Sequence, residues 1–374
     1  MKKDNIESVC FIGRITEISP ILGADNIEQV KIGEWSCVTK KGVQRVNDLV
    51  IVCTQDAVIP EKISKLLEIT SYLRSGKRVK TVKLKNIYSE CLIINPRQVR
   101  VTELREGKDL QEELGIFKYE EPLKEIQIPG NKRKVKYKDN PEFEVYFKFP
   151  NIKNCDNMFE PNELIYAQRK IHGTNFRAAI VPKLKLSFLD KIKKLLKIKI
   201  ITDEFLIGSH RVNISYRNNY SGYYGKDIYT KVANDNNILN LLFTLKNTYK
   251  ASKVEIYGEI YGEGIQKNYD YNLKGHKLVI FDIQIDGRYL SPKEVNYLIP
   301  ENLKIELVSC VEYKDIISLL PNILKQKIKG TSIPHEGVVL KAEKQGKYQR
   351  LRAVKVISPD YLIYADKNNV EDSH

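Results

Sequence analysis

Turn residues divide the first hundred residues of the chain into short segments that favour β-strands. Each segment is rich in Val, Ile or Thr and is bounded by Gly, Asp, Asn or Pro. The predicted strands span residues 9–18, 29–32, 36–39, 48–53, 78–84 and 90–94. So many short strands in so short a stretch are typical of a small β-barrel. Residues 1–100 are therefore predicted to form a barrel domain.

The rest of the chain has a different pattern, in which predicted strands and helices are mixed. Residues 101–145 are charged and poorly periodic, which indicates a linker. Residues 146–374 are predicted to form a second domain, since a chain of 374 residues is long enough for two. Its predicted strands span residues 164–169, 177–181, 205–207, 254–259, 277–285, 337–341 and 352–357, and its predicted helices span residues 228–245 and 292–298. The predicted fold class is α+β.

Residues 184–200 stand out as a basic amphipathic segment. Their apolar residues recur at helical spacing with lysines between them. Such a helix could lie on a membrane or on RNA. The alternative, which we favour, is a helix that packs on its own domain and leaves its lysines in solvent.

The chain is strongly basic. It has 62 Lys and Arg residues against 47 Asp and Glu residues, so its formal net charge is +15. An excess of cations favours polyanionic partners, chiefly through phosphate contacts and counterion release. A genome that favours lysine everywhere would give the same charge. Charge alone therefore does not separate RNA from DNA or from a membrane surface.

Cysteine usage and hydropathy indicate an intracellular protein, either cytoplasmic or nuclear. The six cysteines are scattered, and no two have metal-ligand spacing, which fits reduced thiols better than a disulfide framework. No apolar run approaches the roughly 18–20 residues that a membrane span needs, and the N-terminus lacks a signal-peptide core. We therefore expect no membrane partner.

The segment Lys-Ile-His-Gly-Thr-Asn at residues 170–175 carries the candidate nucleophile, Lys170. The pattern Lys-x-x-Gly alone is weak, because residues 327–330 match it too. An apolar strand precedes Lys170, however, and a polar turn and a second apolar strand follow it. A lysine at a strand end can present its amine to a phosphate and attack once deprotonated, whereas the alternative is a surface lysine in a β-turn. Gly173 lets the backbone come close, and Asn175 offers an amide to a ribose or to the turn itself.

Further chemical groups follow Lys170 in a definite order. They are Glu259 before a glycine-rich turn, Phe281 in an apolar strand, Glu336 and Lys341 at the two ends of one strand, and Lys355. Singly, each has a structural alternative: a solvated Glu, a core Phe, or a lysine at the fringe of a sheet. Together they supply a nucleophile, two carboxylates for a divalent metal and a ribose, an aromatic plate for a base, and cations for a triphosphate. That set suits nucleotidyl transfer.

These segments resemble, in order, the motifs of the covalent nucleotidyltransferase superfamily of ATP-dependent ligases and capping enzymes. The form of residues 170–176 and the Gly-Glu-x-x-Gly-x-Gly-Ile-Gln pattern at 258–266 are similar to those of RNA ligases. Residues 18–28, 78–85 and 88–92 resemble the N-terminal OB module of the Deinococcus- and Naegleria-type RNA ligases. The resemblance implies an OB-like barrel followed by an adenylyltransferase domain of antiparallel sheets with flanking helices.

The resemblance also implies an ATP-dependent RNA ligase that works in three steps. Lys170 attacks ATP to form lysyl-AMP, AMP passes to a 5′-phosphate end, and a 3′-hydroxyl then displaces AMP, with Mg²⁺ or Mn²⁺ assisting. The implied partner is RNA with 5′-phosphate and 3′-hydroxyl ends, nicked duplexes included. The implied role is RNA repair, and we expect a monomer.

Roles in binding the base, the ribose and the metal follow from the resemblance. Phe281 would stack on adenine, and the backbone at Arg169 would contact the adenine edge. Glu259 would hold the ribose or a metal-bound water. Glu336 would position the metal, with Glu259 as a second metal-linked carboxylate.

Roles at the phosphates follow in the same way. Lys341 and Lys355 would stabilise the charge of the transition state, together with Arg211, which we prefer to His210 as the counterpart of a family arginine. His172 would either bond a phosphate or orient the nucleophile, and both alternatives stay open.

The barrel is expected to grip the polynucleotide through Arg78, Lys80, Lys83 and Lys85, which we expect at alternating strand positions. The alternative is that the barrel is a docking module for the catalytic domain.

Two other classes of protein compete with this interpretation. DNA ligases and mRNA capping guanylyltransferases place an OB domain after the last motif, whereas only residues 356–374 follow Lys355, and we expect neither class for that reason. A catalytically inactive nucleic-acid-binding protein would be expected to have lost one of Lys170, Glu259, Glu336 or Lys355. All four are present.

Overall fold

The structure is a computed structural model of the chain. It describes residues 7–119, 140–155, 158–184, 202–210, 212–215, 227–344 and 351–370. These residues form a barrel-like N-terminal domain and a larger domain built on two antiparallel sheets. Within those ranges, no helix combines the length and the apolar character that crossing a membrane requires.

Short antiparallel strands make up the N-terminal domain, as predicted. The strands are β1 (Cys10–Arg14), β2 (Glu17–Pro20), β3 (Ile27–Ile32), β4 (Trp35–Lys40), β5 (Leu49–Thr54), β6 (Ala57–Val58), β7 (Val82–Leu84), β8 (Ile87–Ser89), β9 (Cys91–Ile94) and β10 (Phe117–Lys118). They form the sheets β1-β5-β9 and β2-β3-β4 and the pairs β7-β8 and β6-β10. Two short helices, α1 (Glu61–Leu66) and α2 (Gln111–Leu114), and 3-10 turns at Thr70–Tyr72 and Pro96–Val99 complete the domain.

Both faces of the β1-β5 pair are buried. Alternate residues of β1 belong to different core clusters, with Cys10 and Ile12 in one and Phe11 in the other. Side chains of a strand alternate between its two faces, so this pattern places the pair between two layers of the domain.

Two predicted strands of this domain are corrected. The strand predicted at 9–18 is β1 and β2 with a corner between them, because the backbone changes partner there. The N–H of Ile15 donates to Asp48 and the N–H of Thr16 donates to Lys31. The strand predicted at 78–84 is limited to β7, since residues 74–78 close a turn on themselves by paired backbone hydrogen bonds.

The predicted linker, 101–145, packs on both domains where it is described. Leu110 belongs to the same core as β1, and β10 pairs with β6. On the other side, the Asn140 amide donates to the carbonyl oxygen of Pro182 at 2.9 Å. Apolar burial and backbone pairing therefore override the charged composition of this stretch. Residues 120–139 lie outside the described ranges, so the domain boundaries stay predictions.

The second domain contains the seven predicted strands and two more among the described residues. The strands are β11 (Leu164–Lys170), β12 (Thr174–Pro182), β13 (Asp203–Gly208), β14 (Val254–Gly262), β15 (His276–Ile285), β16 (Arg288–Tyr289), β17 (Leu307–Glu312), β18 (Gly337–Ala342) and β19 (Ala353–Ile357). They form a five-stranded sheet in the order β13-β12-β14-β15-β16 and a four-stranded sheet in the order β17-β11-β18-β19.

Helices cover one face of each sheet. They are α3 (Ile228–Asp235), α4 (Ile238–Tyr249), α5 (Pro292–Leu298), α6 (Tyr313–Ile323) and α7 (Pro359–Asn368), with 3-10 turns at Ile152–Asn154 and Glu301–Leu303. Residues of α3, α4 and α5 share one core with the five-stranded sheet. Residues of α6 share another core with the four-stranded sheet. The opposite face of the five-stranded sheet carries a small apolar cluster around Phe143 and also the polar residues Asn175 and Glu259.

The helix predictions are confirmed in part. The predicted helix 292–298 matches α5, where Ser291 and Glu294 form a reciprocal capping box. The predicted helix 228–245 is α3 and α4, because Asn237 takes a φ of +51°, which breaks a right-handed helix. Helices α6 and α7 were not predicted. The predicted helix at 184–200 lies outside the described residues except for its first position.

Candidate active site

Lys170 is the last residue of β11, and its side chain is 28% exposed. β11 pairs with β18 in antiparallel register, with Lys170 opposite Gly337. The end of β11 therefore meets the start of β18, and Glu336 lies immediately before that start. The Lys170 ammonium donates a hydrogen bond to the Glu336 carboxylate. The structure thus joins the predicted nucleophile and the predicted strand-start carboxylate.

Gly337 makes this meeting of strands possible. Its φ is +151°, and a Cβ at this position would lie 2.1 Å from the carbonyl oxygen of Val356 in β19. Any side chain would push β18 away from β19 and would move Glu336 with it. The glycine is therefore part of how the sequence places the carboxylate.

Glu336 is a buried carboxylate, with 8% of its side chain exposed. One of its oxygens accepts the hydrogen bond from Lys170. The other, Oε2, has no hydrogen-bond partner among the described residues and lies 3.8 Å from Nδ1 of His172. A buried carboxylate oxygen without a donor is costly, so this atom suits a bound cation or an incoming donor.

His172 lies beside this pair in a cage of tyrosines. Its backbone N–H donates to the hydroxyl of Tyr271 at 2.7 Å. Its ring nitrogen Nδ1 is 3.2 Å from the hydroxyl of Tyr361 in α7. Its ring also contacts Tyr269 edge to face, with 4.9 Å between the centroids. Sequence reasoning missed all three tyrosines, although Tyr269 and Tyr271 stand just after the glycine-rich turn that follows Glu259.

The turn after β11 packs directly on β14. A Cβ at Gly173 would lie 2.3 Å from the carbonyl oxygen of Ile260 and 2.8 Å from Cγ of Glu259. The backbone at Gly173 thus comes close to a neighbouring element, as predicted, and in this structure that element is β14. Asn175 is opposite Glu259 in the pairing of β12 with β14, so the two side chains share one face of the sheet. The side-chain oxygen of Asn175 is buried and has no hydrogen-bond partner within the described ranges.

Phe281 lies at an irregularity of the five-stranded sheet. Tyr257 is opposite Asp282 and Gly258 is opposite Ile280, so Phe281 falls in a bulge between two registers. A bulge re-aims the side chain that it contains. The ring is half-buried, with its centroid 5.1 Å from that of Tyr146. The aromatic residue is therefore partly open, as a plate for a base requires.

The structure corrects the role predicted for Lys341. Its side chain is 1% exposed, and its amine donates to Asp282 at 2.7 Å and to the carbonyl oxygen of Phe281 at 2.9 Å. Burial lowers the pKa of Lys341, and Asp282 opposes that effect. Burial likewise raises the pKa of Asp282, which also accepts a hydrogen bond from Tyr146. With its amine enclosed, Lys341 ties β18 to β15 and does not reach toward a triphosphate.

Sequence reasoning missed this buried network, in which Asp282 is the partner of Lys341 and Tyr146 donates to Asp282. The available signal was a carboxylate inside the apolar run Ile-Phe-Asp-Ile, which predicts a buried partner of opposite charge.

Lys355 shares a sheet face with Lys170. Lys355 of β19 is opposite Val339 of β18, and Val339 is opposite Gln168 of β11. Side chains directly opposite each other in a sheet lie on one face, and so do residues two apart in a strand. The predicted second cation of the site is therefore placed on the same face as the nucleophile.

Arg169 points away from that face. Its guanidinium is 3.1 Å from Glu306 and 2.6 Å from the side-chain oxygen of Gln326, and its N–H donates to the carbonyl oxygen of Glu306. The backbone N–H of Arg169 is therefore not available for the predicted contact with adenine, because it already donates to Glu306. Arg211, the other predicted phosphate ligand, lies outside the described residues.

The basic residues predicted to grip RNA are not all on one strand. Lys83 is in β7 and Lys85 is in the turn after it, and both are exposed. Arg78 precedes β7 and stacks on the ring of Tyr119 at 4.3 Å. The Lys80 amine is 3.8 Å from Asp366 in α7. The predicted alternation is wrong, because the turn at 74–78 shortens the strand.

Several side chains of the barrel contact α7 of the second domain. Besides Lys80, Arg74 lies 3.1 Å from Asp366, and the Tyr88 hydroxyl donates to Asp360 at 2.5 Å. The docking alternative for the barrel therefore has direct support, since these contacts hold its surface against the second domain.

The residues present fit a divalent cation that is shared with a substrate. No cluster of three or more His, Cys, Asp or Glu suited to a metal occurs in the described part of the chain. Glu336 offers an unpartnered buried oxygen, and Glu259 is a second carboxylate beside the turn that follows Lys170. Mg²⁺ is often held by one or two carboxylates, with substrate phosphates and water as the other ligands.

Comparisons with solved structures show the same fold over nearly the whole chain. A Naegleria gruberi RNA ligase variant with ATP and Mn matches with a TM-score of 0.71 and 21% identity, over 95% of this chain and 98% of that chain. The Naegleria gruberi RNA ligase with PPi matches with a TM-score of 0.70 and 21% identity, over 97% and 99%. Another variant with AMP and Mn matches with a TM-score of 0.71 and 21% identity, over 95% and 98%.

Comparisons by sequence identify the two parts of the chain. No curated protein matches it. An OB-fold domain profile matches residues 9–96, which confirms the barrel prediction. The profile of the family described as RNA ligase matches residues 163–357, which is more than half of the chain and includes Lys170, His172, Glu259, Phe281, Glu336 and Lys355. The chain therefore belongs to the RNA ligase family.

Proposed function

We propose that the chain is an ATP-dependent RNA ligase whose nucleophile is Lys170. The observation that carries the proposal is the hydrogen bond from Lys170 to the buried Glu336, at the joined ends of two strands. The turn that follows the lysine packs against Glu259, so the second carboxylate belongs to the same site. The family and the fold agree with this chemistry.

In the first step, the lone pair of the deprotonated Lys170 amine forms a bond to the α-phosphorus of ATP. The bond from that phosphorus to the oxygen bridging to the β-phosphate breaks, and pyrophosphate leaves with the electron pair. The proton that the ammonium must first lose passes to water, which reaches a side chain that is 28% exposed. The product is lysyl-AMP.

Neighbouring residues bind the nucleotide. Phe281 stacks on adenine through its exposed face. Asn175 and Glu259, paired on one sheet face, bond the ribose hydroxyls. Lys355, on the same face as Lys170, and Arg211 stabilise the phosphate charge.

Glu336 and Glu259 would hold Mg²⁺ or Mn²⁺ in the complex with ATP. The bound cation would neutralise charge on the phosphate oxygens. The solved Naegleria gruberi variants with Mn support this choice of metal. His172 orients Glu336 through its ring.

The two later steps join RNA ends. A 5′-phosphate oxygen attacks the phosphorus of lysyl-AMP and releases the lysine amine, and a 3′-hydroxyl then forms the new phosphodiester with loss of AMP. The net charge of +15 supports an RNA partner. We extend the proposal to nicked duplexes as substrates, to a monomer, and to an intracellular role in RNA repair.

The test is covalent labelling with α-³²P ATP and Mg²⁺ or Mn²⁺, followed by denaturing electrophoresis. Label should stay on the wild-type chain and should be absent from Lys170→Ala. Lys327→Ala is the matched control, because Lys327 starts the other Lys-x-x-Gly segment. Labelling that survives Lys170→Ala, or that is absent from the wild type, contradicts the proposal.

The same assay with α-³²P GTP separates a ligase from a capping enzyme, since a ligase should be labelled by ATP alone. A second assay with 5′-³²P RNA should give a sealed product and an adenylylated intermediate. A wild-type chain that binds RNA but takes no label would be the inactive binding protein.

A further inference from the structure

His172 is confined by side chains that lie far from it in the sequence. It is 4% exposed, and rings from two separate segments surround it. Tyr269 contacts its ring at 4.9 Å, and Tyr361 contacts it at 5.5 Å between centroids. Tyr271 accepts its backbone N–H at 2.7 Å. A ring that is packed on several sides keeps one orientation only if its nitrogen atoms find hydrogen-bond partners in that orientation.

Two oxygen atoms face Nδ1 of His172. The Tyr361 hydroxyl is 3.2 Å away, within hydrogen-bond distance, and Oε2 of Glu336 is 3.8 Å away. The phenol is the only one of the two that is close enough to fix the nitrogen. A hydroxyl can donate or accept, so the contact holds whichever tautomer the ring adopts.

Glu336 is held by its neighbours on two sides. Lys170 donates a hydrogen bond to one oxygen, and the His172 ring packs beside the other, with Nδ1 3.8 Å from Oε2. A rotation of the His172 ring would therefore change the packing and the charge environment beside Oε2 of this carboxylate. Glu336 in turn accepts the hydrogen bond of the Lys170 amine, so its orientation affects where that amine lies.

Tyr361 is itself anchored. It is 5% exposed in α7, directly after Asp360, which accepts the hydroxyl hydrogen of Tyr88 at 2.5 Å. The side chain of Ser358 caps the start of the helix by accepting the N–H of Tyr361 at 3.4 Å. The phenol that faces His172 thus sits on a helix start that is fixed by both domains.

We infer that Tyr361 is a positioning residue, which holds the His172 ring against Glu336 and so sets the geometry in which Lys170 attacks ATP. The inference rests on the proposed adenylylation of Lys170. Tyr361 touches neither ATP nor the lysine in this role. Its effect on the reaction passes through His172.

A double-mutant cycle tests this path. The rate of covalent labelling at saturating ATP is measured in single turnover for Tyr361→Phe, His172→Asn and the double variant. Loss of one hydroxyl hydrogen bond should slow labelling by about five- to tenfold. The double variant should be no slower than His172→Asn, because in this inference the Tyr361 hydroxyl acts through the His172 ring. The ATP concentration for half-maximal rate should stay unchanged in Tyr361→Phe.

Tyr364→Phe is the matched control. Tyr364 lies in the same helix, and its hydroxyl bonds the carbonyl oxygen of Asn268 away from His172. This variant should label at the wild-type rate. An unchanged rate in Tyr361→Phe, or a double variant whose loss is the product of the two single losses, overturns the inference. Failure of the wild type to label overturns the proposed function instead.

A second measurement does not depend on activity. The chain has five histidines, so the side-chain nitrogens of ¹⁵N-histidine-labelled protein can be assigned by substitution. The Nδ1 signal of His172 should move in Tyr361→Phe and stay in place in Tyr364→Phe. A His172 signal that is unchanged in Tyr361→Phe overturns the inference even if His172→Asn takes no label.

Discussion

Replacing Lys341 by methionine should destabilise the second domain strongly. In the wild type the Lys341 amine lies 2.7 Å from Asp282, with 1% and 0% of the two side chains exposed. Methionine keeps most of the volume but removes the cation, which leaves Asp282 buried without its counter-charge. Removing one partner of a buried pair costs about 3–5 kcal/mol. We expect a loss of that size in the free energy of unfolding near pH 8.

The pH dependence gives this prediction a sign. Burial already raises the pKa of Asp282 above 3.8, and loss of Lys341 raises it further. The folded variant then takes up a proton that the unfolded chain releases, so it is destabilised as pH rises through the interval between the two pKa values. The loss relative to wild type should therefore be smaller at pH 5 than at pH 8.

The assay is urea unfolding followed by far-UV circular dichroism. The single tryptophan, Trp35, lies in the barrel, so its fluorescence would report the other domain. Lys231→Met is the control, because Lys231 pairs with Asp235 at 61% and 56% exposure and should lose no more than about 0.5 kcal/mol. Adding Asp282→Asn to Lys341→Met should recover much of the loss. A single variant as stable as wild type, or a double variant no better than the single, would refute the reasoning.

Three further predictions concern stability and RNA binding. Burial raises the pKa of Glu255 from 4.5 to about 8, so the folded state loses stability as pH rises between those values. Glu255→Gln removes this titration. The urea midpoint of the variant minus that of the wild type should therefore increase from pH 5 to pH 8. Gly337→Ala should unfold at a lower urea concentration than Gly23→Ala and lose ATP labelling, because a Cβ at Gly337 would lie 2.1 Å from the carbonyl oxygen of Val356. A Cβ at Gly23 meets nothing within 4 Å and costs only about 1–2 kcal/mol of backbone strain. In binding titrations, Lys83→Ala should reduce the slope of log affinity for RNA against log salt by about 1, whereas Lys80→Ala, whose amine faces the second domain, should leave it unchanged.

The pairing of Lys170 with Glu336 could be anticipated from the sequence, because it depends only on where two strands end and begin. Each residue stands at the boundary of an apolar run, and antiparallel neighbours bring the end of one strand to the start of the next. The seven strands of the second domain were predictable for the same reason. Helix ends were less so, since the break at Asn237 depends on one backbone angle.

The partners of Lys341 and His172 could not be anticipated, because they depend on how separate elements pack. Lys341 meets Asp282 across 59 positions, and His172 meets Tyr361 across 189. A lysine at a strand end is usually solvated, and only the packing of one sheet against the other encloses it. Periodicity in the sequence indicates which face of a strand is apolar. It does not indicate which polar side chain of another element packs against that strand.

The contacts of α7 limit what the N-terminal barrel can do while it stays docked. Three of its side chains, Arg74, Lys80 and Tyr88, are engaged with two aspartates of that helix. The ion pairs are partly exposed, so each contributes no more than about 1 kcal/mol, yet all three contacts hold the same helix that brings Tyr361 into the site. A barrel that left the helix to wrap RNA would lose them together. The cations that grip RNA in the docked state must therefore be those still open to solvent. Lys83 is one, since it is exposed although its amine donates to the Tyr88 hydroxyl at 3.2 Å. RNA binding by the barrel is compatible with an intact site only if it leaves this contact in place.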